Sequence, residues 1–202
     1  IHPAERLVKV PDAITMEQAA SMMLQGLTVQ YLLRRLLVQP KKGDTILLHA
    51  AAGGIGLIAC QWAKALGVNV IGTVGSEEKA KLAKEHGCTH TINYVTEDFQ
   101  ARVMEITGGK KVPIVYDSIG KDTWVKSLDC LQPKSLMVTF GNASGPVDGV
   151  NLGILAAKGS LYVHRPTLAT YSAKREDLVA SSKELFDHVV AGRIKVGPRQ
   201  QY

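Results

Sequence analysis

Short apolar runs alternate with amphipathic stretches along most of this chain. The first run, Thr45–His49, is almost continuously apolar and passes directly into a glycine-rich turn. Later runs share this character, and segments whose apolar residues recur at helical spacing separate them. The pattern predicts strands at residues 45–49, 69–74, 89–93, 112–117, 135–140 and 159–164, and helices at 16–38, 55–66, 77–86, 96–107, 122–131, 151–157 and 175–191. Residues 194–196 have the composition of a further short strand.

Local signals mark where several of these elements begin and end. Thr15 and Gln18 predict a capping box at the start of the first helix, which Gly26 is expected to interrupt. Gly67 is a typical helix-ending residue, and Pro133 is expected to stop the helix before it. Strands that are apolar on both faces belong to parallel sheets with helices on each side, and right-handed crossovers wind such sheets doubly. We therefore predict an α/β fold with a doubly wound, six-stranded parallel sheet of the Rossmann type.

The turn after the first predicted strand has the composition of a phosphate-binding loop. It reads Ala51-Ala-Gly53-Gly54-Ile-Gly56, so alanine stands where the usual G-x-G-x-x-G pattern has its first glycine. Glycines let the backbone approach a pyrophosphate, and the amides at the start of the next helix face the anion. Strand, turn and helix together predict that the chain binds a dinucleotide. A tight turn without a ligand is the alternative.

The end of the second predicted strand bears on which dinucleotide is bound. In NAD-binding proteins a carboxylate about 20 residues after the glycines holds the ribose 2′-hydroxyl, but this chain has Gly75 and Ser76 there. Lys79 follows one turn later, and a lysine together with helix N-terminal amides suits a 2′-phosphate. Glu77 and Glu78 add negative charge, although glutamates in a first turn also favour the helix dipole. The pattern favours NADP; a surface lysine without a ligand is the alternative.

Composition narrows the classes of protein that remain. The 202 residues include 24 Lys and Arg and 18 Asp and Glu, which gives a formal net charge of +6. The basic residues are scattered, so we expect a solvated surface, and RNA binding is the less favoured alternative. The three cysteines form no C-x-x-C pair, and Cys60 and Cys130 are expected to be buried thiols, which fits a reducing cytoplasm. No apolar run has the length of a membrane span, and no secretory signal is found.

Several segments together resemble a known family. The segment His49–Gly67 is similar to the cofactor turn of the zinc-free NADPH:quinone oxidoreductases, which stand beside zeta-crystallin in the medium-chain dehydrogenase/reductase superfamily. Further segments with this resemblance are Ile71–Ser76, Ile92–Tyr94, Val115–Gly120, Phe140–Asn142 and Gly159–Pro166. The resemblance covers nearly the whole chain and is strongest to the bacterial quinone reductases.

The resemblance implies which residues contact the cofactor, NADPH. Tyr31 is implied on the nicotinamide side, Ser76 and Lys79 at the 2′-phosphate, and Tyr94 along the adenosine. Ordinary packing is the alternative role for the two tyrosines, and helix capping is the alternative for Ser118. The implied cofactor-binding residues are Thr28, Tyr31, Gly54, Ile55, Gly75, Ser76, Lys79, Tyr94, Ser118, Phe140, Gly141, Asn142, Pro166, Thr167 and Leu168.

The resemblance also implies a reaction, hydride transfer from NADPH to a quinone. The alternatives are reduction of activated alkenes or aldehydes, and a non-catalytic NADPH- or RNA-binding role. No metal is expected, because residues 19–30, beside the expected nicotinamide site, include no Cys, His or carboxylate. No residue is assigned as catalytic, since hydride transfer to a quinone needs little acid–base chemistry from the protein.

The family fold further implies that the chain belongs to a larger protein. We expect residues 1–14 to connect from an N-terminal catalytic domain, residues 15–165 to form the NADP-binding Rossmann domain, and residues 166–202 to return towards the catalytic domain. The two flanking segments would then be remnants of that domain. Family members commonly dimerise, so we expect a homodimer that pairs sheet edges near residues 135–163.

Overall fold

The six predicted strands form one parallel sheet. In chain order they are β1 Thr45–Leu48, β2 Asn69–Val74, β3 His90–Asn93, β4 Val112–Asp117, β5 Leu131–Thr139 and β6 Tyr162–His164. Their order across the sheet is β3-β2-β1-β4-β5-β6, and all neighbouring pairs are parallel. This is the strand order of doubly wound dinucleotide-binding sheets. The predicted fold class is therefore confirmed.

Eight α-helices accompany the sheet in the computed structural model, which describes residues 3–197. They are α1 Met16–Arg34, α2 Gly54–Ala65, α3 Glu77–Glu85, α4 Phe99–Ile106, α5 Trp124–Asp129, α6 Gly153–Ala157, α7 Leu168–Tyr171 and α8 Arg175–Val190. Within residues 3–197, no helix is both long and apolar enough to cross a bilayer.

The described chain divides into two compact units. Residues 40–166 form one unit, and residues 3–39 with 167–197 form the other. The units thus divide at residue 39, whereas the predicted boundary at residue 14 stays a prediction. Residues 1, 2 and 198–202 of the predicted flanking segments lie outside the described residues.

Both faces of the sheet are buried. On one face Leu47, Ile71 and Val115 pack in a core with residues of α4 and α5. Ile46 and Leu48 alternate with Leu47 along β1 and are equally buried, so they point to the opposite face. Helices α2 and α3 pack against each other and against β2. This double cover explains why the strands are continuously apolar in sequence.

In the other unit, α1 packs against α8 without the interruption predicted at Gly26. A Cβ atom at Gly26 would lie 2.6 Å from a methyl group of the buried Leu185. The glycine therefore serves a close helix–helix approach, and the surrounding helix keeps its hydrogen bonds through this position. Glu184 of α8 accepts hydrogen bonds from Gln30 Nε2 and Arg34 Nε, each at 2.9 Å.

Two further boundaries differ from the sequence prediction. The fifth helix ends at Asp129, and β5 begins at Leu131 and continues through Pro133, whereas the prediction started this strand at Ser135. The β4–β5 register shifts between Val112 and Ile114, and this irregularity lets the strand accommodate the proline. Residues 194–196 do not form the further short strand, since they lie outside the six strands found in the described part of the chain.

Candidate functional site

The turn between β1 and α2 brings backbone groups and a helix start close together. Ala50 adopts a left-handed φ of 55°, and its carbonyl oxygen accepts a hydrogen bond from Gly53 N at 2.8 Å. A Cβ atom at Gly56 would lie 2.5 Å from the Ala51 carbonyl oxygen, so only glycine fits without a shift of the turn. Gly53 caps α2 without a side-chain hydrogen bond. The N-cap residue therefore leaves the first amides and the positive dipole end of α2 for an anion.

A buried polar network adjoins this turn. His49 Nδ1 lies 3.0 Å from Thr73 Oγ1, and His49 Nε2 lies 2.9 Å from Ser127 Oγ. The Ser127 hydroxyl donates to Asp117 Oδ2 at 3.2 Å, so it accepts from His49 Nε2–H. Thr73 Oγ1 accepts from the Ala50 amide at 3.3 Å. The network therefore ties the glycine-rich turn to the carboxyl ends of β2 and β4.

The protonation of His49 follows from its surroundings. Burial lowers the pKa of the imidazole below its ordinary value of 6.5, and the nearby Asp117 carboxylate acts in the opposite direction. The Phe99 ring stands edge-on to the imidazole, with the ring centroids 4.9 Å apart. We conclude that His49 is a neutral structural residue beside the turn.

The predicted residues at the ends of β4 and β5 come together. Phe140 N donates to the Asp117 carbonyl oxygen at 2.8 Å, and Ala143 N donates to that of Ser118 at 3.2 Å. A Cβ atom at Gly141 would lie 2.5 Å from the Ser118 carbonyl oxygen, so the approach of the two loops requires glycine. Ser118 and the segment 140–142 therefore form one edge of the site.

Arg165 holds this edge in place and was not predicted from the sequence as a site residue. Its Nη1 donates to the Gly141 carbonyl oxygen at 3.1 Å. With the Asn142 amide oriented so that both its polar atoms are paired, Arg165 Nη2 donates to Asn142 Oδ1 at 3.3 Å. The sequence signal that could have identified Arg165 was the family-like segment 159–166, in which only the buried Pro166 was assigned a role.

The predicted 2′-phosphate and adenosine residues adjoin at the end of β2. A Cβ atom at Gly75 would lie 2.7 Å from Tyr94 Oη, so the tyrosine side chain lies over this glycine. Ser76 caps α3 by accepting a hydrogen bond from Lys79 N at 3.2 Å, which leaves its hydroxyl hydrogen to donate elsewhere. Lys79 is exposed, and Glu77 lies 3.5 Å from Asn93 Nδ2. A glycine, a hydroxyl and, one turn into α3, an exposed lysine therefore follow β2 where NAD-binding proteins have a carboxylate.

A cavity of about 450 Å³ opens at the carboxyl ends of β1, β2 and β4. Tyr94 and Thr73 line it, as do Ile119 and Ala143 from the loops after β4 and β5. Open α/β sheets bind their ligands at this edge. Within one unit, the cavity therefore lies between His49 at the end of β1, Thr73 of β2 and the loops that follow β3, β4 and β5.

The remaining predicted residues belong to the other unit. The Thr28 hydroxyl donates to the Leu24 carbonyl oxygen at 2.8 Å, and Tyr31 stacks on Tyr171 with ring centroids 4.7 Å apart. Thr167 caps α7, which begins at Leu168. These contacts show packing and capping, and the proposed cofactor roles of Thr28, Tyr31, Thr167 and Leu168 stay predictions.

A comparison with protein families shows which family this chain belongs to. The model of the family described as zinc-binding dehydrogenase matches residues 54–184, from the start of α2 into α8. The chain belongs to the zinc-binding dehydrogenase family. Within residues 3–197, no group of three or more His, Cys, Asp and Glu side chains is placed to hold a metal ion.

Proteins similar to this chain include quinone oxidoreductases. A quinone oxidoreductase of Pseudomonas aeruginosa is 59% identical over 98% of this chain and 61% of its own length. A crystal structure of an Escherichia coli quinone oxidoreductase complexed with NADPH is 57% identical over 96% of this chain and 60% of that one, with a TM-score of 0.94. A 2-haloacrylate reductase of a Burkholderia species is 50% identical over 95% of this chain and 58% of its length. The chain thus spans about three fifths of each relative, and the predicted resemblance is confirmed.

Proposed function

We propose that this chain is the NADPH-binding part of a quinone reductase. The observation that carries the proposal lies at the carboxyl ends of the neighbouring strands β1 and β2: a glycine-rich turn and a helix start without a side-chain cap follow β1, and Gly75, Ser76 and Lys79 follow β2. The NADPH named for the Escherichia coli relative and the quinone reductase names of two relatives support it.

The residues present fit a phosphorylated dinucleotide. A Cβ atom at Gly56 would collide with the turn, and that turn leaves backbone amides for a pyrophosphate, to which we assign Gly54 and Ile55. After β2, a lysine and a hydroxyl are available to a 2′-phosphate, whereas residues 73–76 include no carboxylate of the kind that holds the ribose in NAD sites. We assign Gly75, Ser76 and Lys79 to that phosphate and Tyr94 to the adenosine.

The Ser118 edge completes the proposed site within this unit. Ser118, Phe140, Gly141, Asn142 and Pro166 are assigned to cofactor contacts, and Arg165 keeps the segment 140–142 in position. When bound, NADPH supplies the hydride, and the protein contributes binding, orientation and exclusion of water. We assign no catalytic residue in this chain.

Reduction of an activated alkene is the second candidate function. The 2-haloacrylate reductase is 50% identical to this chain, and a haloacrylate is an alkene activated by a carboxyl group. Both functions use the same cofactor site, so turnover of quinones against haloacrylates by the whole protein distinguishes them. An RNA-binding role stays a prediction with only the net charge of +6 in its support.

We also propose a homodimer that forms through the β6 edge of the sheet. β6 is the last strand in the sheet order, and its Tyr162 and Val163 side chains are 54% and 38% exposed. An open strand edge with exposed apolar side chains is a typical pairing surface.

The free cysteines Cys60, Cys88 and Cys130 support the predicted cytoplasmic location.

Calorimetric titration of this chain with NADPH and, separately, NADH tests the proposed function. We expect NADPH to bind at least about tenfold more tightly, because a charge-assisted contact to the 2′-phosphate contributes about 1.5–3 kcal/mol. Equal affinity for the two dinucleotides would contradict the assignment of Ser76 and Lys79.

A further inference from the structure

Thr73 of β2 binds two successive amides of the glycine-rich turn. Its side-chain Oγ1 accepts a hydrogen bond from Ala50 N at 3.3 Å, and its carbonyl oxygen accepts one from Ala51 N at 3.0 Å. Strand and turn also touch here, since a Cβ atom at Gly72 would lie 2.5 Å from Ala51 Cβ. Thr73 is 2% exposed, so water does not compete for these bonds. Thr73 therefore fastens the first residues of the turn to β2.

Ala50 is the residue of the turn that most needs to be held. Its φ of 55° lies in the left-handed region, which residues with a side chain rarely adopt and which persists only where the surrounding structure enforces it. The Ala50 carbonyl oxygen accepts from Gly53 N at 2.8 Å and lies against Gly56. A change in the Ala50 backbone therefore reaches the start of α2, which we assign to the pyrophosphate.

The orientation of the Thr73 hydroxyl is set by a chain of hydrogen bonds. An amide such as Ala50 N can only donate, and a carboxylate such as Asp117 can only accept. Ser127 donates to Asp117 and accepts from His49 Nε2–H. The Nδ1 atom of the neutral His49 is then an acceptor, so the Thr73 hydroxyl donates to it at 3.0 Å. The Thr73 hydrogen therefore points to His49 and an oxygen lone pair faces the Ala50 amide.

The carboxylate at the far end of this chain is itself fixed. Asp117 is 0% exposed, and its Oδ1 accepts from Ile119 N at 2.7 Å and from Gly120 N at 3.0 Å. Its Oδ2 also accepts from the Thr123 hydroxyl at 2.6 Å. Because the acceptor end is held by four donors, the direction of the whole chain is determined.

We propose that Thr73 is a positioning residue for dinucleotide binding, whose hydroxyl, oriented by His49, keeps the left-handed turn at Ala50 in the form that receives the pyrophosphate. Thr73 acts through the turn, since the amides that we assign to the phosphates belong to Gly54 and Ile55. NADPH and NADH carry the same pyrophosphate, so Thr73 affects the binding of both equally, whereas a contact to the 2′-phosphate affects NADPH alone. The proposal rests on the proposed dinucleotide-binding function.

Calorimetric titration of three threonine variants with NADPH and NADH tests this role. Thr73→Val keeps the shape of the side chain without its hydroxyl and should weaken binding of both dinucleotides by about fivefold. Thr73→Ser keeps the hydroxyl and should restore both affinities. The matched control is Thr89→Val, because Thr89 Oγ1 accepts from Val70 N at 3.1 Å near the other end of β2. That variant should bind both dinucleotides as the wild type does.

Ser127→Ala tests the orienting chain without changing any residue of the turn. It separates His49 from Asp117, so the Thr73 hydroxyl loses its fixed direction and both affinities should fall by about twofold to fivefold. In the Thr73→Val background the same substitution should have no further effect, because the chain is already interrupted. Losses that add in the double variant would overturn the part assigned to His49. Should Thr73→Val fail to fold, Ser127→Ala carries the test of affinity.

Amide hydrogen exchange at Ala50, followed by NMR without dinucleotide, reports on the turn independently of binding. Exchange should be faster in Thr73→Val and should keep its wild-type rate in Thr73→Ser. Wild-type affinities in Thr73→Val, or a loss of affinity for NADPH alone, would overturn the proposal. A wild-type chain that binds neither dinucleotide would refute the proposed function, and exchange at Ala50 would still decide whether Thr73 holds the turn.

Discussion

Replacement of Gly56 by alanine would place a methyl group inside the turn between β1 and α2. The new Cβ atom would lie 2.5 Å from the Ala51 carbonyl oxygen and 2.6 Å from the Ala51 carbonyl carbon, whereas ordinary contacts begin at 3.4 Å. The Ala50 carbonyl oxygen is at least as close. These atoms all belong to the backbone, so no side chain can rotate away. The turn must therefore move by about 1 Å to relieve the overlap.

The size of the effect follows from two opposing contributions. Overpacking typically destabilises a protein by about 1–3 kcal/mol, and the backbone collisions at Gly56 favour the upper half of that range. Alanine regains about 1 kcal/mol through its higher helix propensity within α2. The net loss is then about 1–2 kcal/mol, which lowers the thermal midpoint of a chain of this size by about 2–8 °C. A turn displaced by about 1 Å should weaken NADPH binding by about tenfold or more.

Thermal unfolding followed by circular dichroism, together with calorimetric NADPH titration, measures both effects. The control is Gly197→Ala, because a Cβ atom at that glycine would meet nothing within 4 Å. If Gly56→Ala has the same thermal midpoint and the same NADPH affinity as the control variant, the reasoning is refuted. A lower midpoint with unchanged affinity would show that the turn is structural and holds no pyrophosphate.

Two further predictions concern the buried network and the sheet edge. Burial lowers the pKa of His49, so the unfolded chain binds this proton more tightly and folding stability should fall as pH drops below about 6.5. Urea unfolding at several pH values should show that the free energy of unfolding depends less on pH in His49→Gln than in the wild type, and equally in the exposed control His90→Gln. A His49→Gln variant whose free energy of unfolding keeps the wild-type pH dependence would contradict this. Val163→Lys places a charge on the β6 edge and should convert a dimer into monomers in analytical ultracentrifugation, whereas Val125→Lys on α5 should remain dimeric. A wild-type chain that sediments as a monomer would contradict the proposed dimer.

Much of the fold could be predicted because its signals are local. The continuous apolar strands and the turn at Gly53–Gly56 indicated a covered parallel sheet and a dinucleotide-type turn. The errors arose where tertiary packing outweighed local propensity. Gly26 reads as a helix breaker, yet Leu185 packs against it and α1 continues. Pro133 reads as a helix stop, yet it lies inside β5 beside a register shift.

The residues of the candidate site follow from the resemblance and stay predictions, whereas the contacts that support them could not be predicted from the sequence. The resemblance pointed to Gly75 and Tyr94, and the structure places them side by side. No sequence pattern joins His49 to Ser127, because this contact connects separate elements that only the folded sheet brings together. Such side chains look like ordinary core residues in the sequence.

The central claim is that the end of β2 recognises a 2′-phosphate, and the most direct measurement is the ratio of NADH to NADPH dissociation constants in two lysine variants. Lys79→Ala removes the assigned contact, and Lys81→Ala removes an equal charge from another exposed position of the same helix. We predict that the ratio falls by about tenfold in Lys79→Ala and keeps its wild-type value in Lys81→Ala. An equal ratio in both variants would contradict the claim.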